Sequence, residues 1–398
     1  MSVPQPPVVI LGGNASALSV ARPLAARGIQ VYAIGVPSHV AASRFVTPIL
    51  VRPADDEEEA WTEVLLNGPG RRLEGAVLLA AGDVGLSLIA RHRDLLAERF
   101  LLDESNVAAQ LAMLDKRQSY DLAAEAGVPT PRYWHVRGGD DLERVRDELV
   151  YPLLVKPILS HEYQARFSGK FRTARSWDEV AAAFAELTGA GLDVMLVEAI
   201  EGPDSLLCSY YTYLDRDGEP AFDFTKRIIR RHPVNMGIGC YHVTDWNPDV
   251  AALSLRLFRH VGLRGLANAE FKLDRRDGTL KLIEVNARFT AANCLLAAAG
   301  LDLAGYVYSR VVGDPHGMPD RYRTGLHLWQ PGTDLRALLE LRRRGELGVG
   351  GWLRSLAHRQ TFAFFRWDDP GPAVALALSR LRKGAAMTSA PPRTAVRA

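Results

Sequence analysis

Two glutamates near the middle of the chain, Glu270 and Glu284, have the type and spacing for metal and phosphate chemistry. They sit on two alternating runs within residues 266–288, joined by Arg276-Asp277-Gly278. That tripeptide predicts a three-residue hairpin loop with Gly278 in the left-handed conformation, and this loop length sets Glu270 opposite Glu284. Strand alternation then places Glu284, Asn286 and Arg288 on one face and turns Ile283 and Val285 into a core. Opposed carboxylates repel each other unless a cation lies between them. A hard divalent ion suits the position, because Mg²⁺ takes carboxylate and phosphate oxygens and Asn286 adds an amide oxygen. Arg288 would then face the phosphate. The competing reading is a solvated ladder of ion pairs, Glu270 and Glu284 with Lys272 and Arg288.

Other cations stand upstream. Lys156 follows the apolar run Tyr151-Pro-Leu-Leu-Val and precedes Pro157, so it lies on a buried strand and needs an anionic partner. Lys116 follows Asp115 at the head of a helix that ends at Gly127-Val-Pro-Thr-Pro131, and Leu196-Val-Glu198-Ala-Ile200-Glu-Gly202-Pro-Asp204 leads a strand into a turn. Taken in this order and followed by Glu-X-Asn-X-Arg, these motifs resemble the ATP-grasp ligases over residues 116–288.

The resemblance implies ATP and Mg²⁺ as cofactors, with Mn²⁺ as a substitute. It puts phosphate on Lys116 and Lys156, adenine against Glu198 and the backbone of Ala199 and Ile200, ribose on Asp204, and the metal on Glu270, Glu284 and Asn286. Arg288 would stabilise the transferred group. A glycine-rich loop usually closes over the phosphates in this family. Here residues 158–170 hold a single glycine, leaving Ser160, His161, Ser168, the Gly169 N–H and Lys170 for that task. Members that join a carboxylate to an amine often carry Arg-Lys-X-Arg near the position where this chain reads Arg227-Ile-Ile-Arg230. Arg227 and Arg230 are therefore expected at the catalytic centre, with no counterpart of the lysine at Ile228; the cluster Lys226, Arg227, Arg230, Arg231 and His232 reads as a solvated charge run or, beside the hairpin, as a clamp on phosphate or a carboxylate substrate. The implied reaction joins a small carboxylate to an amine through an acyl phosphate and releases ADP and phosphate. The alternatives are a bicarbonate-using carboxylase or carbamoyl-phosphate-type enzyme, a nicotinamide oxidoreductase and a nucleotide-sensing module.

These residues need a scaffold. Val8 to Leu11, then Gly12-Gly13-Asn14, a helical pattern to Arg27 and the run Ile29 to Ile34 form a βαβ unit. Asn14 and Ala17 stand where a dinucleotide fingerprint needs glycine, which argues against NAD. A strand ending at Gly82-Asp83 aligns Asp83 with Asn14 and Ser16 along one sheet edge, although Asp83 also reads as a helix cap. The expected fold is α/β and α+β: a doubly wound, Rossmann-like domain over 1–112, an ATP-grasp domain of two subdomains over 113–314, and a helical appendage over 315–398, disordered after Lys383. Within that appendage Trp352 to Trp367 mixes aromatics with Arg354, Arg359 and Arg366. A membrane-surface role and a helical appendage packed on the core both fit, and the even spread of basic residues favours packing.

Composition bounds the rest. At 398 residues, 47% hydrophobic and 24% charged, the chain is an ordinary globular one, and a net charge of +2 gives no electrostatic case for nucleic acid. Cys208, Cys240 and Cys294 lack metal-ligand spacing, so no zinc site is expected. With no leader or membrane-spanning run, the expectation is a cytoplasmic enzyme, compatible with a homodimer.

Overall fold

The first apolar run becomes strand β1 (Val8–Leu11), whose four residues are all fully buried. Burial on both faces is the mark of a parallel sheet covered by helices. Strands β2 (Val31–Ile34) and β4 (Val77–Ala80) flank it, with β3 (Thr47–Ile49) and β5 (Leu101–Leu102) outside, in the order β3-β2-β1-β4-β5. All neighbours in this sheet are parallel. The turn from β1 into helix Ala15–Ala26 needs φ of +69° at Gly12 and +92° at Gly13. A Cβ on Gly13 would also lie 2.7 Å from the Ala81 carbonyl oxygen, so glycine is required twice over. This identifies the computed structural model with the expected doubly wound N-terminal part; it describes residues 5–389 apart from 53 and 55.

A second sheet holds β6 (Tyr133–His135), β7 (Leu153–Pro157), β8 (Arg172–Ala174) and β9 (Val194–Glu198), antiparallel in the order β6-β9-β7-β8. Helix Trp177–Gly189 covers it, capped by Ser176, whose hydroxyl accepts the Glu179 N–H. Leu153, Val155, Phe184 and Leu196 pack between sheet and helix as a core of their own.

The third sheet contains β10 (Leu207–Leu214), β11 (Phe224–His232), β12 (Ile238–Asp245), β13 (Gly265–Leu273), β14 (Leu280–Asn286), β15 (His327–Trp329) and β16 (Gln360–Phe362). Their order is β14-β13-β10-β11-β12-β15-β16. The last two strands lie within the expected helical appendage: β15 pairs with β12, β16 pairs with β15, and Leu328 and Ala363 enter the core. Three residues each are too few for a periodic signal. Helix Gly371–Ser389 runs past Lys383, where disorder was expected to begin, and residues 390–398 lie outside the described residues.

The central hairpin reaches its expected pairing by an unexpected route. Asp274 donates its N–H to the Thr279 carbonyl, and Leu273, Lys272 and Phe271 face Leu280, Lys281 and Leu282. The loop is thus one residue longer than predicted, and its register alone would set Glu270 against Ile283. A β-bulge at Ile283 shifts the pairing, and Glu270 faces Glu284 after all. The bulge also redirects side chains. Ile283, expected in the core, is half-buried, while Leu282 is fully buried in its place and Val285 points inward as expected.

Candidate active site

The glutamate pair lies in a cleft between the second and third sheets, surrounded by lysines. Lys170 Nζ lies 3.9 Å from Glu284 Oε1. Lys116 is the first residue of helix Lys116–Glu125, which Asp115 caps by accepting the N–H groups of Arg117 and Gln118. Its Nζ donates to Ser160 Oγ at 2.7 Å and to the Ile158 carbonyl at 3.3 Å. Lys156, on β7, is buried and donates to Tyr120 Oη at 3.3 Å, with its ammonium 5.6 Å from the centre of that ring. Lys226, on β11, is buried and donates to Ser209 Oγ at 3.1 Å.

These lysines hydrogen-bond only to neutral groups, and the chemistry of the site follows from that. Burial, with Lys116 close by, pulls Lys156 down from 10.5 to about 7. Burial lowers Lys116 and Lys226 as well. Of the carboxylates, Glu270 is raised by burial and by Glu284, whereas Lys170 holds Glu284 low. A buried ammonium without an anionic partner favours the binding of an anion, and two opposed carboxylates favour that of a cation. Among the described residues no three His, Cys, Asp or Glu side chains gather into a metal cluster. The pair fits the Mg²⁺ pattern of one or two carboxylates completed by phosphate oxygens. Asn286 donates its amide N–H to Asn268 Oδ1 at 3.3 Å, and Asn268 in turn donates to the Tyr210 carbonyl at 3.0 Å. This relay across three strands leaves Asn286 Oδ1 as the oxygen without a protein donor among the described residues.

On one side of the lysines a cavity of about 430 Å³ is walled by Glu198, Ala199, Ile200, Lys272 and Ile283. Lys272 fixes the hinge, donating to the carbonyls of Ile200 at 2.9 Å and Gly202 at 2.7 Å. Both carboxylate oxygens of Glu198 are engaged, Oε1 by Arg276 at 2.5 Å and Oε2 by the Arg132 N–H at 3.3 Å. Asp204, buried, pairs with Arg231 and accepts the Asn235 N–H at 3.1 Å.

On the other side a cavity of about 520 Å³ opens toward the parallel sheet, with Asn14, Ser16, Trp61, Asp83 and Arg288 in its walls. The Phe289 N–H donates to the Ala80 carbonyl, which ties the end of β14 to the end of β4. Arg288 Nε consequently meets Asp83 Oδ1 at 2.5 Å. Gly82, not Asp83, takes the N-cap position, and Asp83 begins helix Asp83–Arg91. Ser16 Oγ donates to the Ala81 carbonyl at 2.7 Å, and Asn14 Oδ1 lies 2.7 Å from His39 Nε2.

The structure thus brings together Lys116, Lys156, Glu270, Glu284, Asn286 and Arg288, with Glu198, Ala199, Ile200 and Asp204 beside them. It does not bring Arg227 and Arg230. Arg227 is half-exposed and pairs with Asp245 at 3.1 Å; Arg230 is buried against Asp334 of helix Pro331–Arg343 at 2.6 and 2.9 Å. Alternation along β11 already sets Arg227 on the face away from the cleft, and a register shift between Ile228 and Arg230 turns Arg230 away as well. Lys226, Ile228 and Arg231 face it instead. Ser168 and Gly169 are exposed and absent from the cavity walls, while their neighbour Lys170 reaches in. Residues 160–166 form helix Ser160–Arg166 instead of a loop. Sequence reasoning missed Tyr120 and the site role of Lys272 and offered Arg231 only as one of a basic cluster; the alternation Lys226-X-Ile228 hinted at which face of β11 looks inward.

Residues 247–312 match the family model of the carbamoyl-phosphate synthase L chain ATP-binding domain. The chain is 24% identical over 359 residues to D-aspartate ligase of Enterococcus faecium, covering 85% of each chain. It is 29% identical to D-alanine–D-alanine ligase of Methylococcus capsulatus, over 46% of this chain and 58% of that one. The biotin carboxylase domain of Hydrogenobacter thermophilus 2-oxoglutarate carboxylase, solved with MgADP and bicarbonate, superposes with a TM-score of 0.61 at 19% identity, covering 80% of this chain and 73% of that one. No helix among the described residues is long and apolar enough to cross a membrane. The likeness runs through the glutamate hairpin and the sheets on both sides of the cleft, and the chain is similar to ATP-grasp enzymes, carboxylate–amine ligases among them.

Proposed function

We propose that the chain is an ATP-dependent ligase that joins a carboxylate to an amine. The γ-phosphoryl of ATP passes to the carboxylate, ADP departs, and the amine attacks the acyl phosphate, losing a proton as phosphate leaves. The observation that carries this reading is the pairing of Glu270 with Glu284 inside a ring of lysines, of which Lys116, Lys156 and Lys226 have no ion pair among the described residues. Lys116, Lys156, Lys226 and Arg231 would hold and orient the phosphates, with Lys170 closing over them. Glu270, Glu284 and the Asn286 oxygen would hold Mg²⁺, or Mn²⁺ in its place. Such an ion, when bound, draws charge from the phosphate oxygens. The hinge at Glu198, Ala199 and Ile200 would seat adenine, with Asp204 at the ribose. Arg288, its Nε fixed by Asp83, would direct its remaining donors at the oxyanion of the reacting carbonyl. The cavity beside Asn14, Ser16 and Trp61 would take the acid and the amine. We propose amino acids for both, the substrates named in the two ligase relatives.

The test is ADP release across paired pools of acids and amines, amino acids first, with mass spectrometry of the products. With the right pair, an acid labelled with heavy oxygen in its carboxylate passes one label to inorganic phosphate. Label in AMP would show adenylation and refute the reading, while ADP release driven by bicarbonate without an amine would favour the carboxylase alternative.

A further inference from the structure

The C-terminal part of the chain carries a surface that the ligase reaction does not use. Of the large hydrophobic side chains exposed among the described residues, more than half lie between Leu335 and Leu381. They follow helical spacing on three helices. Helix Pro331–Arg343 exposes Leu335 and Leu339, helix Val349–Ser355 exposes Val349 and Leu353, and helix Gly371–Ser389 exposes Val374, Leu378 and Leu381. The first helix buries Ala337 and Leu338 while offering water a second apolar stripe, the second helix has no fully buried residue, and so much exposed apolar surface is unusual for surface helices of a globular protein.

The three helices adjoin. Trp352 Nε1 donates to Asp334 Oδ2 at 2.8 Å, which joins the second helix to the first. A Cβ on Gly332 would meet Arg380 Nη1 at 2.8 Å, which places the third helix against the start of the first. Arginines stand among the exposed leucines. Arg336, Arg342, Arg343, Arg354 and Arg380 are exposed, and none has a carboxylate within ion-pair distance among the described residues. The acids nearby are spoken for: Asp334 is fully buried on Arg230, and Glu340 pairs with Arg344 and His232. Beyond Asp369 the sequence holds Arg380, Arg382, Lys383, Arg393 and Arg397 and no Asp or Glu.

We propose that this face docks on an anionic lipid bilayer, with the leucines seated at the headgroup boundary and the arginines on lipid phosphates. Apolar stripes interleaved with arginine are the composition of helices that lie in the plane of an interface. A second copy of the chain is the competing occupant, and charge argues against it. A two-fold contact sets this face on itself and brings the unpaired arginines of both copies together. The membrane contact is peripheral, because no described helix is long and apolar enough to span.

Flotation of the full chain with vesicles tests this. The protein should float with phosphatidylglycerol–phosphatidylcholine vesicles, stay below with phosphatidylcholine alone, and be released by high salt. Each arginine near an anionic surface is worth about fivefold in partitioning, so Arg336→Ala with Arg343→Ala should weaken binding roughly 25-fold. Leu335→Ser with Leu339→Ser should abolish it while leaving the thermal midpoint and ATP binding of the parent intact. Absence of binding to anionic vesicles, or binding that survives both double variants, overturns the proposal. So does a dimer in sedimentation equilibrium that Leu335→Ser with Leu339→Ser dissolves, since the face would then belong to a second copy.

Discussion

Replacing Lys156 with methionine should make the empty protein more stable and unable to hold nucleotide. Burial pulls this ammonium from 10.5 to about 7, the second cause being the like charge of Lys116. At 1.36 kcal/mol per pH unit the gap corresponds to roughly 5 kcal/mol for keeping the lysine charged in the folded, empty cleft. Relaxation and water entry reduce what is recovered, and methionine forfeits the contact with Tyr120, so a gain of about 1–3 kcal/mol is expected near neutral pH. The sign with pH is fixed. The folded-state value lies below the unfolded one, so the unfolded chain binds more protons between them, and the parent gains stability as pH rises from about 7 toward 10.5. The advantage of Lys156→Met should therefore be full below about 7 and shrink toward 10.5. Thermal melts of both proteins across that range, without and with MgATP, measure it. Nucleotide should raise the midpoint of the parent and leave that of the variant unchanged. A variant less stable than the parent at pH 6, or an advantage that does not change with pH, would show that Lys156 is not an uncompensated buried charge.

Further outcomes are expected at other positions. Glu284→Gln should lower ADP formation more than a hundredfold without changing the fold, and excess Mg²⁺ should restore part of it if the loss is one of metal affinity; ADP release against a Mg²⁺ series decides this. Arg227→Ala should leave kcat/KM within about twofold, since its side chain pairs outside the cleft, whereas Arg231→Ala should raise KM for ATP about ten- to a hundredfold by freeing Asp204 and removing a wall of the nucleotide cavity. Arg230→Ala should destabilise the protein by about 3–5 kcal/mol, because it leaves Asp334 buried without its partner; a melt showing no loss would contradict the buried pair.

The parts of the site that were legible in the sequence are those where a residue type is costly unless it has a use. Lys156 after a buried run and Glu270 opposite Glu284 are of this kind, because burial or repulsion must be compensated by a partner that the sequence around them does not supply. The parallel sheet was legible for a similar reason, since Val8 to Leu11 and the glycines after it allow few other structures. What escaped were choices of register. The hairpin loop and the bulge at Ile283 err in opposite directions and cancel, so the glutamate pairing came out as expected while Ile283 moved from the core into the cleft. On β11 a shift past Ile228 exchanged Arg230 for Arg231, and the same arginine type stood on either side of it. A bulge is stabilised by tertiary contacts, here the Ile283 carbonyl accepting from Tyr120 Oη at 3.0 Å, a residue far away in the sequence. Strands of three residues, such as β15 and β16, leave no period to read.

Charge explains why the same cleft is unstable when empty and selective when filled. Around the glutamate pair Lys116, Lys156, Lys170 and Lys226 stand against Glu270 and Glu284, four cations against two carboxylates and an excess of two positive charges, while Arg231 and Arg288 are matched by Asp204 and Asp83. One Mg²⁺ raises the excess to four, the charge that a fully ionised triphosphate brings with opposite sign. Burial depresses Lys116, Lys156 and Lys226 alike, and Lys156, hydrogen-bonded to a phenol, is lowered further by the charge of Lys116. The carboxylates cannot be dispensed with to ease the repulsion, since Asp204 and Asp83 fix Arg231 and Arg288 in place. With Mg²⁺ held by the opposed glutamates a monophosphate leaves two positive charges unbalanced, and a triphosphate without the metal leaves two negative ones, so the side chains favour the magnesium complex of a nucleoside triphosphate over either.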